Sequence, residues 1–250
     1  MNDQTPSRTL PASFGRAFVL TLREALVGSA DELGDLDRRA GDGDFGTNVR
    51  TAMKHLDQNL EADDPSSYRE WLTALYMAWL GVGGTSGPLF GMFFRDLAKA
   101  GEAASADGEA DGDAAASAAP DAGGSADAPT ITQFADALAA GQATVQRYGE
   151  AKVGDKTMID ALDPAVTALR EALEADEETT AVEALFAAED AAVAAATATA
   201  RTTARRGRAS YVGDASQGII DPGAAAMALV ISSARAGADG SGVANLGWIL

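Results

Sequence analysis

Apolar residues recur at intervals of three and four along most of this chain, and no segment alternates apolar with polar, so the chain has to fold from helices packed on helices. In SFGRAFVLTLREALVG (13–28), Phe14, Phe18, Val19, Leu22, Leu26 and Val27 line one face. A short second helix is predicted over 29–38, after Ser29, and a third over 45–60, with Asp44 placed to cap it. SSYREWLTALYMAWLG (66–81) is apolar enough to be central, and 86–100 follows a glycine-rich turn. Further helices are predicted near 131–148, 157–174, 178–203 and 222–249. Eight or nine helices in 250 residues make an all-α bundle or barrel the natural class.

Two stretches depart from this pattern. Residues 101–129 are almost entirely Ala, Gly, Ser, Asp and Glu, which leaves little to bury; the expectation is one domain, 1–250, carrying a disordered acidic insert. Residues 204–221, ARRGRASYVGDASQGIID, form a long loop of arginines and glycines, the kind that serves as a lid or binding loop.

Composition narrows the chemistry. The net charge of -18 argues against a nucleic-acid surface. With no cysteine, disulfides, thiolate metal sites and thiol nucleophiles are excluded. No apolar run is long enough for a membrane span and the first residues lack a secretory pattern, so a cytoplasmic location is expected. Lysine occurs only at 54, 99, 152 and 156; a lysine-poor, carboxylate-rich surface fits a salt-adapted protein and fits a GC-rich genome equally well. The single histidine, His55, sits inside a predicted helix, so a phosphate-transferring chain of this kind would work by positioning and metal electrostatics.

Four segments carry candidate chemistry. In LDRRAGDGDFGTN, Asp37, Asp42 and Asp44 flank glycines that allow a sharp turn, and three converging carboxylates call for a hard cation such as magnesium. On spacing alone, turn-forming and capping aspartates explain the segment equally well. A calcium loop does not: counted from Asp42, position five is Gly46 and position twelve Met53. In GVGGTSG, glycines lead into a helix whose first N–H groups, with Thr85 and Ser86, suit an anion, although a tight helix–helix turn explains the segment too. Residues 149–157 nearly spell a P-loop, but Asp155 breaks the register and no strand precedes it; Gly154 and Asp155 are expected to cap the next helix, with Lys156 in reach of a phosphate. Arg208 lies in the long loop, and Asp221 is expected to cap the last helix, with Pro222 in its first turn.

Taken together, LDRRAGDGDFGTN, GVGGTSGPLFGMFF, GDKTMIDALDPA and GRASYVGD…DPGAA resemble, in order and spacing, the ADP-binding L subunit of the dihydroxyacetone kinase family. The likeness runs from about residue 14 to 249, the 101–129 stretch excepted. It implies an eight-helix antiparallel barrel with a nucleotide site at one end. It implies that Asp37, Asp42 and Asp44 ligate two Mg2+ ions that bridge the phosphates of ADP or ATP, and that Arg208 joins them in catalysis. Phe45, Gly46, Thr47 and Asn48 would open the helix beside the metals. Thr85 and Ser86 would contact phosphate, while Gly149, Met158, Arg208 and the turn Asp221, Pro222, Gly223 would surround the nucleoside and lid. Members often carry histidine where Phe45 stands, so a polar contact there is lost or taken over by backbone. The resemblance also implies a separate K subunit holding dihydroxyacetone and a phosphohistidine-carrying M-type subunit that recharges the bound ADP, and it leaves a homodimer open. An ATP-dependent kinase subunit, or a regulatory nucleotide-sensing module that binds a transcription factor, remains the alternative.

Removing residues 102–128 is expected to leave the melting temperature and nucleotide binding nearly unchanged, because the segment has little apolar surface and loop closure depends only weakly on length. Thermal denaturation of the shortened chain checks this, and a large drop would show that the segment packs.

Overall fold

The stretch PGAAAMALVISSARAGAD is small or apolar on every side, and a helix of that kind belongs in the interior. The computed structural model, which describes residues 7–101 and 128–249, places it there. Its helices are α1 (Phe14–Gly28), α2 (Ala30–Ala40), α3 (Phe45–Asp63), α4 (Tyr68–Leu80), α5 (Ser86–Leu97), α6 (Ile131–Gly149), α7 (Ile159–Ala175), α8 (Ala181–Ala198) and α9 (Pro222–Asp239). Fifteen of the 18 residues of α9 are buried. It packs against α1, α2, α7 and α8, while α3 to α8 neighbour one another in chain order and α1 closes on α3 and α4. The all-α class expected from the sequence holds: among the described residues the only β feature is an isolated bridge between Thr9 and Thr130. The 102–127 part of the expected insert lies outside the described residues.

Local chemistry sets most helix starts. Ser67 and Glu70, Thr130 and Gln133, and Thr180 and Glu183 form three capping boxes that open α4, α6 and α8. A segment at residues 7–10 ties two of these starts together: Ser7 O accepts from Ala181 N–H at 3.1 Å, and Arg8 O from Ile131 N–H at 2.8 Å. The Arg8 guanidinium donates to the carbonyls of Leu173 and Asp176 at the end of α7.

Three helix ends differ from the periodicity. The stretch expected to be helical to 203 leaves the α-helix at Ala198 and continues as a short 3₁₀ turn, Thr199–Arg201. There the Thr199 hydroxyl donates to Ala196 O and accepts from Asp221 N–H, turning the chain toward the start of α9. The helix expected over 222–249 stops at Asp239, because Gly240 takes a left-handed conformation (φ 74°). The helix expected from Lys156 or Thr157 begins at Ile159, and Asp155 does not cap it. The carboxylate of Asp160 accepts from Gly154 N–H and Thr157 N–H, both at 2.7 Å, while Asp155 accepts from Lys152 N–H.

Tight packing of α9 on α1 generates a test. A Cβ at Gly237 would lie 2.8 Å from Phe18 N and 3.0 Å from Phe18 Cα, whereas nothing lies within 4 Å of one at Gly28. Gly237→Ala is expected to destabilise the fold by about 1–3 kcal/mol, since the core must shift to admit it. Gly28→Ala is expected to be neutral or stabilising by up to about 1 kcal/mol. Denaturant unfolding of the two variants decides.

Candidate functional site

The segment joining α2 to α3 folds back so that its carboxylates converge. Gly41 N–H donates to Asp37 O at 2.5 Å, and a Cβ on Gly41 would sit 2.3 Å from Asp37 Oδ1, so a larger residue there would push that carboxylate aside. Gly43 turns the chain in the left-handed region (φ 79°), bringing Asp42 and Asp44 to the same side. Oxygens of Asp37, Asp42 and Asp44 come within 4.8 Å of one another. Asp37 is buried, the other two exposed.

One oxygen of each carboxylate is engaged. Asp37 Oδ2 accepts from Phe45 N–H at 3.0 Å and so caps α3 from the neighbouring helix. Asp44, expected to be that cap, instead accepts from the Asn48 amide at 2.9 Å. Asp42 pairs with Arg208 of the long loop. Burial, then the nearby charge of Asp37, pushes the Asp44 carboxyl above the usual range, against the opposing Asn48 bond. The second oxygen of each aspartate and the mutual repulsion of the three suit a hard divalent cation.

These aspartates form one wall of a cavity at which several helices begin. Gly84, Thr85 and Ser86 at the start of α5 form another wall. Thr85 makes no side-chain cap there, so first-turn N–H groups are left to an outside acceptor at the positive end of the helix dipole. Asp221, Pro222 and Gly223 open α9 on the same cavity; here Asp221 Oδ2 accepts from Ala224 N–H at 2.7 Å, the cap expected from the sequence. Leu89, Phe90, Val145, Ala151 and Met158 supply an apolar side, and Phe90 stacks on Trp79 with ring centroids 4.6 Å apart. Arg206 and Arg208 reach in from the long loop, whose residues Arg208–Ser216 form 3₁₀ turns broken at Gly213.

Of the residues singled out in the sequence, Asp37, Asp42, Asp44, Phe45, Asn48, Thr85, Ser86, Gly149, Met158, Arg208, Asp221, Pro222 and Gly223 all line this cavity. Gly46 and Thr47 do not. Gly46 serves packing, since a Cβ there would lie 2.4 Å from Ala30 O on α2. Thr47 is exposed, and its carbonyl accepts from the Thr51 hydroxyl. Phe45 contributes backbone to Asp37 and its ring to Phe90, 6.2 Å away. Lys156 lines the cavity, but its ammonium donates to two backbone carbonyls. Met158 apart, the apolar side was not foreseen, nor was Arg206: Leu89 and Val145 share the helical pattern of ordinary core residues, and nothing local distinguishes them.

Comparison with known proteins shows the family of the chain. Residues 39–236 match the DAK2 domain. The chain is 31% identical over 199 residues to the ADP-binding subunit DhaL of PEP-dependent dihydroxyacetone kinase 1 from Listeria innocua, covering 79% of this chain and 82% of that one. It is 33% identical to the corresponding Escherichia coli subunit, again over 199 residues, with 79% and 83% covered. Human triokinase/FMN cyclase is 35% identical over 210 residues, 82% of this chain but 32% of that protein. The native crystal structure of the dihydroxyacetone kinase of C. freundii superimposes with a TM-score of 0.60 at 25% identity, over 93% of this chain and 36% of the kinase. The chain thus spans most of the DhaL subunits and about a third of the longer kinases.

Asp221 has a consequence for stability. Burial first, with smaller contributions from Asp160 and Asp37, raises its carboxyl from 3.8 to about 7, against the Ala224 bond and the charge of Lys156. The folded state therefore holds this proton more tightly than the unfolded chain. The stability it contributes is complete below pH 3.8 and is lost as pH rises to about 7. Asp221→Asn keeps an acceptor for the cap and removes the buried charge. In chelator, the variant is expected to be more stable than the parent at pH 8, on the order of 2 kcal/mol, with the difference vanishing below pH 4. Denaturation at the two pH values checks the sign.

Proposed function

The chain belongs to the DAK2-domain family, and from that premise we propose that it is the nucleotide-holding phosphotransferase subunit of a dihydroxyacetone kinase. The observation that carries this reading is the meeting, in one cavity, of three carboxylates within 4.8 Å and the uncapped start of α5 beside an apolar wall. Each part suits a different portion of ADP or ATP.

Asp37, Asp42 and Asp44 would hold two magnesium ions. Bound there, magnesium would neutralise phosphate charge and stabilise the charge that moves between attacking and leaving oxygens. The N–H groups and hydroxyls of Thr85 and Ser86 would take the remaining phosphate oxygens, and Phe90, Leu89 and Met158 would bury the base. Arg208, already at the metal site through Asp42, would close over the phosphates and keep water from the transferable group. The terminal phosphoryl group would then pass to a hydroxyl of dihydroxyacetone on a separate K subunit.

In the same reading the bound ADP is recharged by a phosphohistidine on an M-type partner. His55, the chain's single histidine, does not line the cavity; its ring lies 3.4 Å from Ala78 O. The names of the L. innocua and E. coli relatives, ADP-binding subunits of PEP-dependent kinases, support this donor.

The test is nucleotide retention. The purified protein is expected to carry ADP through gel filtration in magnesium and to release it in chelator. Asp42→Asn and Asp44→Asn are each expected to weaken ADP binding by about 1.5–3 kcal/mol, roughly tenfold or more, the scale of a lost contact to a charged group. With K-type and phosphohistidine partners the parent is expected to phosphorylate dihydroxyacetone, and the variants are not. Wild-type ADP affinity in both variants would remove the metal assignment. Rapid exchange of ADP with steady turnover on free ATP and K subunit alone would assign ATP as donor.

A further inference from the structure

Lys156 is the least expected residue of the cavity: a lysine, 1% exposed, in a left-handed backbone conformation (φ 63°). Its ammonium donates to Thr202 O at 3.0 Å and to Ser216 O at 2.6 Å. Those carbonyls stand at the two roots of the long loop that carries Arg206 and Arg208, so one cation clamps both ends of the segment. Other bonds close the same neck: Ala204 N–H to Ser216 Oγ at 2.9 Å, Gly218 N–H to Ala200 O at 2.7 Å, and Arg205 N–H to Asp155 O at 3.0 Å, beside Lys156. The charge is supported from behind by Asp221 and Asp160, which oppose the effect of burial on the ammonium. With three N–H donors the ammonium satisfies both carbonyls at once, which a methionine side chain of similar length, having none, could not.

We propose that Lys156 is the positioning residue of the lid: by clamping its two roots, it fixes where Arg208 enters the phosphate end of the cavity, and so governs nucleotide release. The proposal rests on the reading of the cavity as a nucleotide site only for its second consequence. The first, order in residues 203–216, belongs to the protein alone.

The experiment therefore has two arms. In metal-free, nucleotide-free protein, Lys156→Met is expected to speed amide exchange at Ala204, Gln217 and Gly218 about tenfold or more, while α9 and α1 exchange as in the parent. Because the chain has no cysteine, Lys156→Cys can be aminoethylated while unfolded and then refolded, which returns an ammonium at the same reach and is expected to restore slow exchange. In the second arm the ADP dissociation rate is measured in magnesium for the parent, Lys156→Met, Arg208→Gln and the double variant. Lys156→Met alone is expected to raise the rate about tenfold and to add little once Arg208 is gone, because it acts through that residue.

Unchanged exchange at the neck would overturn the proposal, as would an equal loss of protection in α9, since either removes a local clamp. A chain that folds with neither substitution would show a core role and overturn it too. Multiplicative effects of the two substitutions on ADP release would separate Lys156 from Arg208. If the parent retains no ADP, the functional reading fails while the exchange arm still tests the clamp.

Discussion

A helix buried on all sides must be made of residues that every neighbour can approach, and α9 is such a helix. Ala224, Ala225, Ala226 and Ala228 open it and Ala234, Ala236 and Gly237 continue it, so α1, α7 and α8 come close enough to exclude water around it. Its few polar interior atoms are answered within the fold: Ser232 donates to Glu189, which also receives Arg235. Because α9 is central, its first turn is also interior, and that turn, Asp221 to Gly223, is part of the cavity wall. The core and the cavity are therefore one construction, and the position of the cavity-facing turn follows from where the central helix starts.

The electrostatics of the site are arranged around charges that oppose one another unless something arrives. Asp37, Asp42 and Asp44 crowd together, and Asp221 is desolvated by the same packing that buries α9. Against them stand the positive ends of α3 and α5, the guanidinium of Arg208 and the ammonium of Lys156. Magnesium and phosphate together would complete this balance, the cation on the carboxylates and the anion on the helix ends. The Arg208–Asp42 pair occupies part of the same arrangement, and it links the long loop to the carboxylate cluster directly.

Much of this was legible residue by residue. The turn in LDRRAGDGDFGTN, the helix start after GVGGTSG and the Asp221–Pro222 cap each rest on local chemistry that acts within a few residues, and each lies where the pattern puts it. What local pattern could not decide was which of several candidate groups takes a given bond. Asp44 sits in the capping position of α3, yet its carboxylate turns to the Asn48 amide, and Asp37, carried by α2, accepts from the first N–H of the helix. Asp160, inside α7, outcompetes Asp155 for the amides before that helix. Gly46 reads as part of a binding motif, but its missing side chain is needed for contact with α2.

By itself, then, the sequence determined the helical class and most helix starts and picked out the three aspartates as candidates, since periodicity, glycine turns and caps are short-range and written in adjacent residues; that those carboxylates converge is a tertiary fact. Only the tertiary structure decided that Leu89, Val145 and Met158, which come from separate segments of the chain, form one apolar wall, and that Lys156 reaches across to Thr202 and Ser216 rather than into the cavity. The reason is physical: a buried ammonium goes to whichever acceptors packing leaves without partners, and those acceptors are created by the meeting of segments 46 and 60 residues away along the chain.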